Sequence, residues 1–265
     1  MMGDSTTALL VLDIGNSAVK GGWYTGSTLS EVFVEPYTSP GAPWVQRMQH
    51  RLQGQTWTRA GLVSVVPERQ RVLAQMLRAS AGAGLYEVDP QQPRILDMAY
   101  DTPATLGADR FAAAVAGWVR HGQTASPPRP VLVIDAGTAV TYEAVSRAGV
   151  YLGGAIAPGP GLLRRSLHEG TAQLPEVPLD VPPHTVGRST QEALQAGLMW
   201  GLIDSVEGMV RRMRQTLGPD TAVVATGGWA SRLAGEVEGV HVHEPHLVLD
   251  GVRLLMDDGA LTPPG

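Results

Sequence analysis

Two aspartates in this chain each stand at the end of an apolar run, directly before a turn that contains glycine. Asp13 ends the run in VLDIGNSAVK (11–20), and Asp135 ends the run in VIDAGTAVTY (133–142). Glycine permits a tight turn whose backbone N–H groups can surround anionic oxygens, and the adjoining carboxylate can hold a cation or a water. Each motif alone also fits a β-hairpin turn closed by an Asx-type bond. Two copies in matching contexts favour phosphate binding over that simpler interpretation.

The first turn also carries a positive charge. Lys20 is the only lysine of the chain and lies inside the first motif, where a compact ammonium suits a phosphate contact. We expect free backbone N–H groups at residues 15–17 of this turn and at residues 137–138 of the second. These local donors would serve an anionic ligand in a chain whose net charge is −5.

A third aspartate could act as a base. Asp109 stands beside Arg110, shortly after Gly107, at the predicted start of an Ala-rich helix, where the helix dipole favours the charged carboxylate. An ionised carboxylate can accept a proton from an attacking hydroxyl, as the catalytic aspartate of phosphoryl-transfer enzymes does. The same spacing also fits an N-capping aspartate next to a solvated arginine.

Two further patterns could carry chemistry, and each has a simpler interpretation. The pair Gly227 and Gly228 follows an apolar strand and suits either a strand-to-helix turn or close approach to a flat ligand such as adenine. The histidines of HVHEPH, His241, His243 and His246, could form a zinc site. Exposed edge histidines are favoured instead, because a proline breaks the run and no acidic or cysteine partner is in register.

Composition excludes several classes of function. The 265 residues include no cysteine, which rules out disulfides, thiolate metal sites and a cysteine nucleophile. The acidic balance, without a basic run interleaved with aromatics, argues against a nucleic-acid partner. No uncharged apolar stretch is long enough to span a bilayer, so we expect no membrane association and a cytoplasmic location. The sequence also lacks P-loop, dinucleotide-binding and nucleophile-elbow motifs.

The two motifs head two halves with the same plan of elements. After each motif the pattern predicts a β-meander, and helices and strands follow. The polar, proline-rich stretch at 121–130 leads directly into the second motif strand, so we place the domain boundary there, with domains at 1–124 and 125–265. Two similar domains that face one another would form the site in the cleft between them.

The clearest predicted helix lies within residues 185–218. Ser189 and Glu192 form a capping box at its start, and Gly218 ends it. Small residues at four-residue spacing suit either internal helix packing or a subunit interface. This small-residue stripe consists of Ala193, Gly197, Gly201 and Ser205.

Short motifs along the chain form an ordered set: DIGNSAVK, GADR, DAGTAVTY, YLGGAIAPG, TAQLP, GRST and ATGG. In this order and at these separations they resemble the type III pantothenate kinases, members of the actin-like, sugar-kinase and Hsp70 ATPase superfamily, over roughly residues 8–258. The resemblance implies an α/β fold of two duplicated actin-like (ribonuclease H-like) ATPase domains with an interdomain cleft. It also implies ATP-dependent phosphorylation of pantothenate to 4'-phosphopantothenate, the first step of coenzyme A biosynthesis.

The same resemblance implies a role for individual motif residues. Asp109 would be the general base, and the first motif would bind the ATP phosphates together with Thr138 of the second. The implied ATP contacts in the first motif are Asp13, Ile14, Gly15, Asn16, Ser17, Ala18, Val19 and Lys20. The implied pantothenate contacts are Tyr100, Gly107, Ala108, Asp109, Arg110 and Thr190. Thr190 would reach pantothenate from a partner subunit, although spacing alone also fits it as the first helical residue.

Cations and an oligomeric state are implied as well. Asp13 would help place Mg²⁺, and Asp135 would hold a monovalent cation, potassium or ammonium. The family is dimeric, and this favours a subunit interface over internal helix packing as the role of the small-residue stripe. The alternatives are a non-catalytic or regulatory nucleotide-binding relative similar to the Bvg accessory factors, and a kinase for another small hydroxyl or carboxylate acceptor. Retention of Asp13, Asp109 and Asp135 together favours an active enzyme.

Overall fold

The computed structural model describes residues 8–81, 84–92, 95–240 and 242–260. Strands and helices succeed one another along these residues as a mixed α/β chain. The strands are β1 (Ala8–Ile14), β2 (Ala18–Thr25), β3 (Thr28–Pro36), β4 (Arg59–Ser64), β5 (Gly84–Glu87), β6 (Asp97–Met98), β7 (Val131–Ala136), β8 (Ala139–Val145), β9 (Val150–Pro158), β10 (Ala222–Thr226) and β11 (Val242–His243). The helices are α1 (Trp44–Leu52), α2 (Pro67–Ala81), α3 (Ala108–Gly117), α4 (Pro160–Glu169), α5 (Thr190–Leu217), α6 (Ala230–Glu236) and α7 (Leu247–Ala260).

The chain divides into two compact units. Of the described residues, the first unit contains those up to 97, those at 101–116 and those from 247 onward, and the second contains those at 98–100 and 117–246. The predicted domains, 1–124 and 125–265, divide the chain differently, because the main crossing into the second unit lies within α3 and because α7 belongs to the first unit. Compact units and domains are separate divisions, and the domain bounds stay a prediction.

The first unit is built on a five-stranded sheet in the order β3-β2-β1-β4-β5. Strands β1 to β3 form an antiparallel meander, and β4 and β5 run parallel to β1. Strand β1 is apolar on both faces because helices cover both. Leu10 and Leu12 belong to the core cluster that also contains residues of α1 and α2. On the other face α7 packs against β1 and β4, where a Cβ at Gly61 would lie 2.2 Å from the sulfur of Met256.

The second unit repeats this plan in a six-stranded sheet with the order β11-β10-β7-β8-β9-β6. Strands β7 to β9 form an antiparallel meander, and β10 and β11 run parallel to β7. Helix α5 covers one face through Leu202, Ile203 and Val206, which share a core cluster with Leu132 and Ile134 of β7. The predicted duplication of one strand plan is therefore confirmed.

Helix α3 is held in the first unit by α7. A Cβ at Gly251 of α7 would lie 1.9 Å from the Ala112 carbonyl oxygen of α3, so the two helices meet backbone to backbone. Helix α7 is in turn bonded to the sheet, because the Tyr24 hydroxyl of β2 donates to the buried Asp250 carboxylate at 2.8 Å. The start of α3 is thereby placed on the α7 side of the first sheet.

Most predicted elements are present, and three of the strands and helices given above differ. Strand β6 was not predicted, and it is only two residues long. Helix α6 was not predicted; it is a single short helix between β10 and β11, too short for a periodic signal. The predicted strand at 237–243 shrinks to Val242–His243. In the part of the chain that the structure describes, no helix is long and apolar enough to cross a membrane.

Candidate functional site

The first turn joins β1 to β2. Its last paired residues are Ile14 and Val19, and Asp13 lies directly opposite Lys20. Directly opposite residues share a face of the sheet, so Asp13 and Lys20 project on one side and Ile14 and Val19 on the other. Asp13 is buried, at 9% exposure, and Ile14 and Val19 have none. Ile14 and Val19 can therefore meet a nucleotide only through their backbone.

Residues outside the hairpin hold the carbonyl groups of this turn. The Tyr37 hydroxyl donates to the Gly15 carbonyl at 3.0 Å, and the Arg69 guanidinium donates to the Asn16 carbonyl at 3.0 Å. The backbone N–H of Tyr37 donates to the Ser17 carbonyl at 3.1 Å. The carbonyls of three successive residues are thus fixed by two residues, one after β3 and one in the first turn of α2.

Tyr37 and Arg69 form a cluster with Trp44. The guanidinium carbon of Arg69 lies 3.5 Å from the centroid of the Tyr37 ring, and the Trp44 ring meets Tyr37 edge-on at 5.4 Å between centroids. Burial raises the pKa of the Tyr37 hydroxyl, Arg69 opposes that rise, and the Asp13 carboxylate adds to it. Tyr37 is therefore protonated at neutral pH, as a donor to a carbonyl must be.

The second turn joins β7 to β8 and is one residue shorter than the first. Its last paired residues are Ala136 and Val140, so residues 137–139 form the turn, whereas residues 15–18 form the first. Thr138 at its tip is exposed. The two motifs match in sequence at the aspartate and glycine but differ in the length of turn that follows.

Gly159 closes the second turn from the side. Its N–H donates to the Thr138 carbonyl at 3.1 Å. A Cβ here would lie 2.4 Å from the Gly137 oxygen and 2.5 Å from the Thr138 oxygen, so only glycine lets the backbone come this close. Gly159 is the counterpart of Tyr37, because each residue directly follows the third strand of a meander and donates its N–H to the turn.

The turn after β10 packs against the Asp135 carboxylate. Gly227 has a φ of +93°, and a Cβ on it would lie 2.3 Å from the Asp135 Oδ1 atom and 2.6 Å from the Ala136 carbonyl oxygen. Glycine is therefore required both for the backbone conformation and for the approach to the carboxylate. The glycine pair here forms a strand-to-helix turn, since α6 begins at Ala230. No adenine contact is needed to explain it.

The expectation of free N–H groups was wrong at two positions. Gly15 donates its N–H to the Ala18 carbonyl at 3.1 Å, and Gly137 donates to the Ala139 carbonyl at 2.9 Å. Each amide closes its own turn, which is why it is not available to a ligand. For Asn16 the expectation stays a prediction, and Ser17 and Thr138 each make a further interaction in the structure.

Asp109 lies in the first turn of α3, which begins at Ala108, and it is partly exposed. Its Oδ1 atom accepts a hydrogen bond from the Arg110 N–H at 2.8 Å. A Cβ at Gly107 would lie 2.7 Å from the same oxygen, so the glycine leaves room for the carboxylate. The carboxylate thus satisfies one amide of the first turn, as in the capping interpretation, but from inside the helix rather than from the N-cap.

Asp109 belongs to the same unit as Asp13 and Lys20. Asp13 and Lys20 lie on the α7 face of the first sheet, because Gly22, two residues after Lys20, contacts Leu249 of α7. Since α7 also carries α3, the Asp109 helix and the pair Asp13 and Lys20 occupy the same side of one sheet. The predicted base and the aspartate and lysine that flank the predicted phosphate-binding turn thus lie on the same side of the first sheet.

The remaining predicted contacts lie in the second unit. The Tyr100 ring packs edge-on against Tyr151 at 5.9 Å between centroids and over Gly153, whose φ is +112°. The Tyr151 hydroxyl donates to the fully buried Glu143 carboxylate at 2.5 Å. Tyr100 therefore rests on a fixed support.

Thr190 is the exposed first residue of α5. The preceding Ser189 is the N-cap and accepts a hydrogen bond from the Glu192 N–H at 3.2 Å, which confirms the first half of the predicted capping box. The Glu192 carboxylate accepts a hydrogen bond from the N–H of Arg188 at 2.7 Å, one residue before the N-cap. Thr190 also borders a cavity of about 760 Å³ with a mostly apolar lining. The small-residue stripe (Ala193, Gly197, Gly201 and Ser205) lines this cavity.

The residues present fit the predicted cations. Mg²⁺ in kinases is held by one or two carboxylates plus substrate phosphates and water, so the buried carboxylate of Asp13, beside the predicted phosphate-binding turn, is a suitable donor. A monovalent cation needs oxygen ligands, and Asp135 lies against the glycine that also contacts the Ala136 carbonyl. In the described ranges no three acidic, histidine or cysteine side chains form a metal cluster.

The histidine pattern carries no metal site in the described residues. His243 is exposed on β11, the edge strand of its sheet, as the simpler interpretation expected. His246 is partly buried directly before α7, and His241 lies outside the described residues.

Sequence reasoning missed Tyr37, Arg69 and Gly159 as neighbours of the turns. The signal for Tyr37 and Gly159 was their shared place after Pro36 and Pro158, each at the end of a meander. No local pattern marks Arg69, because its distance in sequence from the first turn hides the contact.

Comparison with known proteins identifies the family. The pattern of the type III pantothenate kinase family matches residues 9–212. A curated type III pantothenate kinase 1 from Symbiobacterium thermophilum is 35% identical over 261 residues, covering 94% of this chain and 96% of that protein.

Solved structures share the fold. A structure described as a Baf family transcriptional activator from Campylobacter jejuni superposes with a TM-score of 0.59 at 19% identity, over 96% of this chain and 100% of that one. Component A of the (R)-2-hydroxyglutaryl-CoA dehydratase from Acidaminococcus fermentans gives 0.54 at 14% identity, over 97% and 100%. The fold is that of the actin-like ATPases and sugar kinases, and the chain belongs to the type III pantothenate kinase family.

Proposed function

We propose that this protein transfers the γ-phosphoryl group of ATP to pantothenate, giving 4'-phosphopantothenate for coenzyme A biosynthesis. Family membership supports the activity. The observation that carries the site assignment is the placement of Asp109 on the same side of one sheet as Asp13 and Lys20. A base and a phosphate-binding turn are two of the parts that such a transfer needs from the protein.

The first turn binds the triphosphate. Lys20 supplies the positive charge, and backbone amides of the motif supply donors, except that of Gly15, which closes the turn. Ile14 and Val19 turn their side chains into the core, so they can contribute only backbone groups. Thr138 of the second turn, exposed at its tip, adds a hydroxyl. Tyr100, Gly107, Ala108 and Arg110 hold pantothenate, with Gly107 keeping the space beside the Asp109 carboxylate open.

Asp109 is the general base. Its carboxylate accepts the proton of the terminal hydroxyl of pantothenate as that oxygen forms a bond to the γ-phosphorus, and the bond from phosphorus to the β,γ-bridging oxygen breaks to release ADP. The proton then passes from Asp109 to solvent. The Arg110 N–H donates to Oδ1 and so orients the carboxylate.

Asp13 is the proposed residue for Mg²⁺ and Asp135 for potassium or ammonium. Bound there, the cations would offset the negative charge of the phosphates. The Asp135 carboxylate lies against Gly227, which limits where it can move.

We also propose a homodimer in which Thr190 of each subunit contacts the pantothenate of the other. The support is the exposed Thr190 at the border of an apolar cavity lined by the small-residue stripe. Small residues let a second helix approach closely, and an apolar cavity on a helix face is suited to being filled by one.

An acceptor panel with Asp109→Asn tests the proposal. Purified protein with ATP, Mg²⁺ and potassium is expected to consume ATP with pantothenate and not with sugars, acetate or other small acceptors. Asp109→Asn should lower kcat by about 10²–10⁴-fold, the usual contribution of a general base, while Asp101→Asn, an exposed aspartate nearby, should not. Near-normal turnover of Asp109→Asn would refute the base assignment.

The panel also separates the alternatives. Selective turnover of another acceptor would assign a different kinase activity. Tight binding of nucleotide or pantothenate without turnover, in saturating Mg²⁺ and potassium, would instead favour a regulatory protein similar to the Bvg accessory factors.

A further inference from the structure

The first turn is fixed through its carbonyl groups. Gly15 and Asn16 each have their carbonyl oxygen bonded to a side chain from outside the hairpin, Tyr37 and Arg69 respectively. In a planar trans peptide the C=O of one residue and the N–H of the next point in opposite directions. Holding these two oxygens therefore sets the directions of the Asn16 and Ser17 N–H groups, which face away from Tyr37 and Arg69.

The two side chains are themselves held in place. Arg69 stacks on the Tyr37 ring at 3.5 Å, and Trp44 packs against the ring edge. The Tyr37 N–H is bonded to the Ser17 carbonyl at 3.1 Å, so the tyrosine is anchored by its backbone as well as its hydroxyl. Both residues are partly exposed, so their bonds to the turn are made at the surface rather than in the core.

The fold alone does not demand this arrangement. In the second unit the equivalent place after the third strand is occupied by Gly159, which makes the same backbone bond to its turn without any side chain. The second hairpin nevertheless forms with full pairing up to Ala136 and Val140. The side chains of Tyr37 and Arg69 are therefore additions that concern the first turn.

Arg69 also brings charge to this turn. Its guanidinium lies on the Asn16 carbonyl, beside the turn that carries Lys20. A fixed cation next to a row of amide groups raises the attraction for an anion and costs no reorganisation when the anion arrives.

We propose that Tyr37 and Arg69 are positioning residues for ATP, which hold the peptide groups of residues 15–17 in the orientation that receives the triphosphate before it binds. This proposal rests on the proposed function, in which the first turn binds the ATP phosphates. It predicts that loss of either side chain weakens ATP binding and leaves pantothenate binding unchanged.

Steady-state kinetics of Tyr37→Phe and Arg69→Met test the proposal. Tyr37→Phe removes only the hydroxyl and should raise the KM for ATP about fivefold, the effect of one lost hydrogen bond. Arg69→Met removes the donor and the charge and should raise it roughly tenfold or more. Arg69→Lys should recover part of the loss, because an ammonium can donate to the carbonyl but cannot stack as a guanidinium does. The KM for pantothenate should stay within about twofold of the unmodified protein.

Two matched variants control for structure and charge. Tyr24→Phe loses a buried hydroxyl bond to Asp250 in the same unit, so it should lower stability without changing the KM for ATP. Arg71→Met removes an exposed arginine two residues further along α2 and should leave the KM for ATP unchanged.

Equal changes in both KM values, or a rise for Tyr24→Phe as large as for Tyr37→Phe, would show a merely structural role and overturn the proposal. Unchanged kinetics for Tyr37→Phe and Arg69→Met would overturn it too. In that case, if the unmodified protein phosphorylates pantothenate and Lys20→Met loses ATP affinity, the proposed function stands and only the role of Tyr37 and Arg69 fails. If the unmodified protein turns over no pantothenate, the proposed function itself fails.

Discussion

The two aspartate turns share a strand plan but are stabilised in different ways. The first has residues 15–18 beyond its last pair and is held by the side chains of Tyr37 and Arg69. The second has residues 137–139 and is held by the backbone of Gly159, with Gly227 against Asp135. An extra residue and side-chain support suit the role proposed for the first turn, the presentation of amide groups to a large anion. Close backbone packing suits the role proposed for the second turn, which is to keep the Asp135 carboxylate in place.

The comparison predicts that charge in the first turn matters most. Lys20→Met removes the only ammonium side chain of the motif and should lower kcat/KM for ATP by about 10²–10³-fold, the usual cost of losing one preorganised charge contact. Thr138→Val, the corresponding change in the second turn, should lower kcat/KM for ATP by about tenfold or less. Measurement of both variants at saturating pantothenate tests the order, and a larger loss for Thr138→Val would reverse the assignment of the turns.

Backbone packing at the second turn predicts a stability effect. Gly159→Ala places a Cβ 2.4 Å from the Gly137 oxygen, so the free energy of unfolding should fall by about 3 kcal/mol. Gly161→Ala is the matched control, because its Cβ meets no atom within 4 Å and its helical position gains stability on substitution. Urea denaturation measures the free energy of unfolding of both variants. Equal values would mean that a side chain is tolerated at residue 159, as it is at its counterpart Tyr37 beside the first turn.

The support of Asp135 by Gly227 predicts a cation effect. Gly227→Ala forces a residue with φ near +93° to carry a Cβ that would lie 2.3 Å from the carboxylate, so it should displace Asp135 and raise the potassium concentration needed for half-maximal activity about tenfold. Gly228→Ala, which meets no atom within 4 Å, should change it little. If Gly227→Ala has a normal potassium response, Asp135 does not hold the cation.

The last predicted effect is a pH dependence in the second unit, which shows only at high pH. Burial raises the pKa of Tyr142 from 10.0 to about 12 in the folded protein. The unfolded chain therefore loses this proton first, so the stabilising contribution is full below pH 10 and is lost as the pH rises toward 12. Tyr142→Phe should flatten the fall in unfolding free energy above pH 10. An unchanged slope in urea denaturation would contradict the burial effect.

The duplicated plan could be predicted from the sequence because short-range patterns determine it. An apolar strand, an aspartate and a glycine turn recur in both halves, and each carries the same meander after it. The GADR motif likewise placed Asp109 at a helix start, which the structure has in the first turn of α3. Short-range patterns of this kind survive folding because the turn and the helix terminus are stabilised by neighbouring residues.

Long-range contacts could not be predicted. Arg69 reaches the first turn because β4 lies beside β1, and nothing in ERQRVLAQ distinguishes it from Arg71. The amides of Gly15 and Gly137 were expected to be free, but each closes its own turn, a choice that depends on the register of the following strand. The assignment of α7 to the first unit depends on packing against Gly61, which no sequence pattern announces.

That assignment has a consequence for biosynthesis. The strands of the first unit leave the ribosome early, but the face of β1 and β4 that α7 covers waits for the residues after 247, which are translated only when the whole second unit has been made. The second unit can complete its core in one continuous run of translation, while the first remains open on one side. We therefore expect the nascent N-terminal sheet to expose its α7 face until the end of the chain has been synthesised.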